Sequence, residues 1–138
     1  MSKWEMLDPT PGDHIRVKIG SLYHHGIYIG DDKVIQFGHP LNFLTAASEI
    51  KVIESPIEDF LHGGFLEVCV YDRKERKSKR SPEQIIETAK SHLGEGGYHI
   101  KNNNCEHFAN YCVFGIRFSE QADNIHKTMI EMLNKETK

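Results

Sequence analysis

The sequence predicts an α+β domain, an antiparallel β-sheet packed by helices. Two observations carry this. Short alternating, β-branched segments crowd the first half of the chain, and amphipathic helical periods crowd the second. A third observation is length. The 138 residues can build one sizeable core but not two. The expected unit is one domain over 1–138, with a core from about 11 to 116 and a C-terminal amphipathic helix at about 119–135.

Taken in order, DPTPGD (8–13) is a Pro/Gly turn. HIRVKI (14–19) alternates, with Ile15, Val17 and Ile19 on one face of a half-buried strand. Gly20 and Ser21 turn the chain. LYHHGIYIG (22–30), GDD and KVIQF (33–37) then read as two strands joined by a hairpin. The segment 38–49 reads as a loop, and IKVIE (50–54) as a strand. PIEDFLHGG (56–64) reads as a short helix closed by glycines, and FLEVCVY (65–71) as a strand. RKERKSKR (73–80) holds six basic residues and one acidic one, in a chain of net charge −3. It reads as a solvated loop, with contact to anionic lipid headgroups as its functional alternative.

SPEQIIETAKSHLG (81–94) carries helix signals throughout. Ser81 is the N-cap, Pro82 sits at the first helical position and Gln84 completes a capping box. Ile85, Ala89 and Leu93 share a face, and Gly94 closes the end. EGGYHIKNNN (95–104) is a loop. A second helix starts near 105, with Phe108, Ala109, Cys112 and Val113 on one face. In the third, Ile125, Met129 and Leu133 form the stripe.

Composition narrows the function. Apolar residues make up 38% and charged residues 27%, which suits a soluble globular chain. A net charge of −3 argues against nucleic acid as a partner. No apolar run reaches the roughly 18 residues of a membrane span. MSKWEMLDPTPGD is charged where a signal peptide needs an apolar stretch. The expected location is cytoplasmic, with peripheral membrane contact as its extension. Cys69, Cys105 and Cys112 form no close-spaced pair and are expected to be reduced.

Cys105 is the residue with chemical promise. Asn104 is a good N-cap type, which puts Cys105 in the first helical turn. The dipole there lowers a thiol pKa, and free N–H groups can hold an oxyanion. Position alone leaves a nucleophile and a structural thiol both open. Cys69 and Cys112 read as structural. A nucleophilic thiol needs a base. Within the 22–30 strand, Leu22, His24, Gly26 and Tyr28 share one face, and Tyr23, His25, Ile27 and Ile29 the other. Gly26 beside His24 would let a helix N-terminus approach, so His24 is favoured and His25 is expected on the solvent face. His107, two residues after Cys105, points about 200° away on a helix and suits packing or hydrogen bonding. Zinc ligation by Cys105, His107, His24 and His25 matches no common spacing. Neither metal nor cofactor is expected.

HHGIYIG (24–30) and NCEHF (104–108) together resemble the lecithin retinol acyltransferase-like family, as do PGDHIRV before them and NYCVFG after. The resemblance implies a circularly permuted papain-like cysteine hydrolase fold, with the histidine ahead of the cysteine. It implies Cys105 as nucleophile and His24 as base. It also implies an acyl-thioester formed from a phospholipid or other acyl donor and passed to an acceptor or to water. The family's third member is usually a second histidine. Gln36 stands in that place, and a neutral amide can orient an imidazole; His39 is the alternative. The hydrophobic membrane anchor of some animal members of that family has no counterpart in IHKTMIEMLNKETK, which is amphipathic and charged. Hydrolysis of amide bonds and a non-catalytic binding module are the competing functions.

Overall fold

The computed structural model describes residues 3–38, 50–97 and 104–116. The expected helix at 119–135, His39 and most of the two loops at 38–49 and 95–104 lie outside these residues. The elements run β1 (Lys3–Glu5), β2 (His14–Ile19), β3 (Leu22–Gly30), β4 (Lys33–Phe37), β5 (Val52–Pro56), α1 (Ile57–Leu61), β6 (Leu66–Val70), α2 (Arg73–Ser78), α3 (Pro82–Ser91) and α4 (Cys105–Phe114). The strands form one sheet in the order β1-β6-β2-β3-β4-β5, with every neighbouring pair antiparallel. This is the α+β architecture the sequence predicts.

Strand alternation divides the core in two. Ile15, Val17, Tyr28, Val34 and Val68 face α1 and its buried Phe60. Ile27, Ile35, Phe37, Val52 and Cys69 face Ile85 and Ala89 of α3 and Cys105, Phe108, Ala109, Cys112 and Val113 of α4. β3 and β4 contribute to both clusters because a period of two sends neighbouring side chains to opposite faces.

Phe60 is fully buried, although α1 is only five residues long. A Cβ added at Gly26 would come within 2.8 Å of its ring. Removing that ring leaves a cavity that a short helix cannot collapse into. Phe60→Ala is expected to destabilise the domain by about 3–5 kcal/mol, read by urea denaturation.

Three elements depart from expectation. β1 is an edge strand in a segment with no strand pattern, paired through Lys3↔Val70, Trp4↔Cys69 and Glu5↔Val68. The basic run forms a helix, α2. Asp72 accepts from the Glu75 N–H at 2.7 Å and the Glu75 carboxylate accepts from the Asp72 N–H at 3.0 Å. This is a reciprocal cap, and Arg76 and Lys77 complement the dipole in the last turn. α3 has its expected cap of Ser81 and Gln84 but ends at Ser91, so Leu93 lies beyond the helix and is exposed.

Candidate active site

Helix α4 begins with a local hydrogen-bond network. The Asn104 side-chain oxygen accepts from the N–H groups of Glu106 and His107, both at 3.0 Å. The His107 ring accepts from the Asn104 N–H at 3.2 Å. His107 therefore takes the part usually played by Glu or Gln in a capping box. Cys105 is the first helical residue. Two of the first-turn N–H groups expected to hold an oxyanion are occupied by the cap, and the Cys105 N–H lies outside it. α4 is buried almost all round, including Glu106, His107 and Asn110.

The Cys105 sulfur lies against β3, accepting from the His25 N–H at 3.5 Å. One residue earlier, His24 Nε2 meets Gln36 Oε1 at 2.7 Å. Gln36 is fully buried, and its amide nitrogen donates to Ser55 Oγ at 2.6 Å. That donation turns the amide oxygen towards His24. With the amide oxygen as acceptor, His24 Nε2 is the donor in this bond. The structure thus brings His24, Gln36 and Ser55 into one chain, with Cys105 against the backbone of the next residue.

Two expectations about this site are corrected. The gap at Gly26 admits the Phe60 ring and Val34 of the α1 side, and the start of α4 packs elsewhere. The thiol is not lowered. Burial pushes Cys105 up to about 11, and the neighbouring Glu106 carboxylate adds to the rise. The N–H groups of His25, Glu106 and Cys105 oppose this and lose. With Cys105 only 7% exposed, desolvation outweighs the N–H groups that favour the thiolate.

His25 is a further correction. Only 1% exposed, it lies under the sheet face that α4 covers. His25 Nδ1 meets Nε2 of the equally buried His14 at 2.8 Å. Its Nε2 is 4.0 Å from the Glu106 carboxylate. Trp4 of β1 packs edge-on against both rings, at 5.0 and 5.5 Å, and Arg16 lies 4.2 Å over the indole. Sequence alone gives this cluster little signal, because a histidine at 14 or 25 on an alternating strand looks the same whether its face is covered or open.

Burial, aided by Arg16, lowers His14 to about 3 from an ordinary 6.5. Burial also holds His25 well below 6.5, with His14, His24 and Arg16 adding to the effect. Both rings are neutral at pH 7. In the unfolded chain both take up protons as pH falls through 6.5, whereas folded His14 resists down to about 3. Stability is therefore full above 6.5 and is lost between 6.5 and about 3, at roughly 1 kcal/mol per pH unit for His14. Thermal melts from pH 8 to 4 should show this slope, and His14→Gln should flatten it. An unchanged slope in His14→Gln would contradict the assignment.

Cys69 and Cys112 are buried core residues. Among the described residues, no three His, Cys, Asp or Glu side chains are grouped to hold a metal ion, and no helix is long and apolar enough to cross a membrane.

Comparison with known proteins places this sequence in a family. The family model described as "Lecithin retinol acyltransferase" matches residues 7–118. The lecithin retinol acyltransferase of Rattus norvegicus is 30% identical over 138 residues, covering 86% of this chain and 60% of that protein. The phospholipase A and acyltransferase 1 of Homo sapiens is 29% identical over 131 residues, covering 88% of this chain and 77% of the relative. Protein LEAD-SENSITIVE 1 of Arabidopsis thaliana is 30% identical, covering 74% and 56%. The chain spans about three fifths of the length of the rat lecithin retinol acyltransferase. On the strength of a match that runs from before β2 to beyond α4, the chain belongs to the lecithin retinol acyltransferase family.

Proposed function

We propose that the protein is a cysteine-dependent acyltransferase or acyl hydrolase that takes an acyl group from a phospholipid onto Cys105. The observation that carries this reading is the His24–Gln36–Ser55 chain, which selects a base-competent imidazole one residue from the backbone N–H that holds the thiol. The names of the relatives, a lecithin retinol acyltransferase and a phospholipase A and acyltransferase, support the acyl donor.

In this mechanism the Cys105 S–H proton passes to His24 Nδ1 as sulfur bonds to the ester carbonyl carbon. The Cys105 N–H faces the oxyanion. The tetrahedral intermediate collapses, the bond from carbon to the glycerol oxygen breaks, and that oxygen takes the proton from His24. The acyl-thioester that remains is attacked by water or an acceptor hydroxyl. His24 removes the proton of the attacking group and returns it to the departing sulfur. Burial keeps the Cys105 thiol protonated in the resting protein at neutral pH, so a base has to take its proton for sulfur to attack.

The Arg73, Lys74, Arg76 and Lys77 side chains of α2 are exposed and supply charge suited to anionic headgroups at a membrane surface, each worth on the order of 1 kcal/mol. A second reading, a non-catalytic module on the same fold, draws support from the dryness of the thiol. The test is incubation with a short-chain phosphatidylcholine, a chromogenic ester and the matching amide, followed by intact-mass spectrometry. The acyltransferase reading expects an acyl adduct from the phospholipid and the ester. An adduct from the amide alone assigns amide hydrolysis, and none from any donor assigns the binding module.

A further inference from the structure

Three buried polar side chains have no part in the mechanism above. His14, His25 and Glu106 are 2%, 1% and 4% exposed. Burying such groups costs free energy that ordinary packing does not return. We propose that Glu106, His25 and His14 form a buried positioning chain for the nucleophile, fixing the first turn of α4 to β3 so that the Cys105 thiol lies against the His25 N–H. This rests on the reading of Cys105 as nucleophile.

Proton placement gives the chain a direction. His25 Nε2 faces a carboxylate oxygen at 4.0 Å. A bare lone pair there would oppose the carboxylate charge, so Nε2 carries the proton. His25 Nδ1 is then the acceptor, and His14 Nε2 donates to it at 2.8 Å. Neither His25 Nε2 nor His14 Nδ1 has a hydrogen-bond partner among the described residues. The contact to Glu106 at 4.0 Å is too long for a hydrogen bond and acts as charge against N–H dipole.

Residue 25 touches α4 at two consecutive residues. Its N–H donates to the Cys105 sulfur at 3.5 Å, and its ring faces Glu106. Two contacts of different kinds set both the height of the helix along β3 and its rotation. The cluster is faced by Arg16 of β2, which bonds Glu67 of β6 at 3.0 Å, and by Glu106 of α4. β1 contributes Trp4, which closes the cluster with its ring edge. The Glu106 carboxylate also acts on the thiol, since its charge disfavours the thiolate.

The test uses the full chain and two readouts. Iodoacetamide labelling of Cys105, located by peptide mass, is followed from pH 6 to 11. Acylation by p-nitrophenyl butyrate gives kcat and KM. Glu106→Gln removes the charge and keeps the size, so its labelling midpoint should move to lower pH, with roughly threefold or more faster labelling at pH 8. His25→Leu should lower kcat by about tenfold or more at unchanged KM, as expected when orientation alone is lost. His25→Gln, which keeps a donor towards Glu106, should recover part of it. A wild-type midpoint in Glu106→Gln, or a wild-type kcat in His25→Leu, overturns the proposal. If His25→Leu does not fold, the midpoint of Glu106→Gln decides alone. Labelling needs no turnover, so failure of the wild type to acylate would sink the nucleophile reading and leave the test of the chain intact.

Discussion

Cys105→Ala is expected to abolish acyl release from phospholipid, to the level of the uncatalysed reaction. Cys69→Ala and Cys112→Ala should retain it. The difference follows from position. All three thiols are buried, so burial does not separate them. Cys112 lies mid-helix in the apolar cluster shared by α3, α4 and the sheet, and Cys69 lies mid-strand under Trp4. Only Cys105 sits at a helix start, with backbone N–H groups directed at its sulfur and a histidine one residue from the contact. Cys112→Ala should lower thermal stability through the space it leaves, while its acylated mass still appears. The measurement is release of fatty acid or acylated acceptor, with melting temperature as the control. Wild-type release from Cys105→Ala would remove the thiol from the chemistry.

The second large effect belongs to His24 and its support. His24→Ala removes the proposed base and should slow acylation by about 10²–10⁴-fold. Gln36 is the more informative position. Gln36→Leu keeps a similar volume but leaves His24 Nε2 and Ser55 Oγ without their present partner. A stability loss of about 1–3 kcal/mol is expected from the unsatisfied groups, and a rate loss of roughly 10–100-fold from an imidazole free to choose the wrong tautomer. Gln36→His should restore most of the rate, since either ring nitrogen can accept from His24 Nε2. Rates of p-nitrophenyl butyrate acylation across the three variants check this. Equal rates in Gln36→Leu and wild type would show that the amide has no orienting part.

The sheet was largely legible because its strands alternate cleanly. HIRVKI, LYHHGIYIG and KVIQF emerge with the bounds of β2, β3 and β4. The caps of α3 and α4 were legible too, because Ser81 and Asn104 act on residues only a few positions away. The hidden parts depend on partners distant in sequence. β1 is a strand only because β6 offers it an edge. His25 looked like a solvent-face residue because parity alone does not reveal that both faces of β3 are covered. Gly26 pointed to close approach, but only the fold could show that Phe60 occupies the space. The helix α2 was hidden by its basic composition, although Asp72 and Glu75 were spaced for a capping box. The backbone N–H groups around the Cys105 sulfur act in the expected direction, but the depth of burial decides the balance.

The central claim is a covalent acyl group on one sulfur. The most direct measurement is the mass of the protein quenched in acid after mixing with a short-chain phosphatidylcholine, with peptide mapping and hydroxylamine treatment of the adduct. The account predicts one acyl addition on the peptide bearing Cys105, removed by hydroxylamine and absent from Cys105→Ala. An unmodified Cys105 while fatty acid is released, or an adduct on another residue, would contradict it.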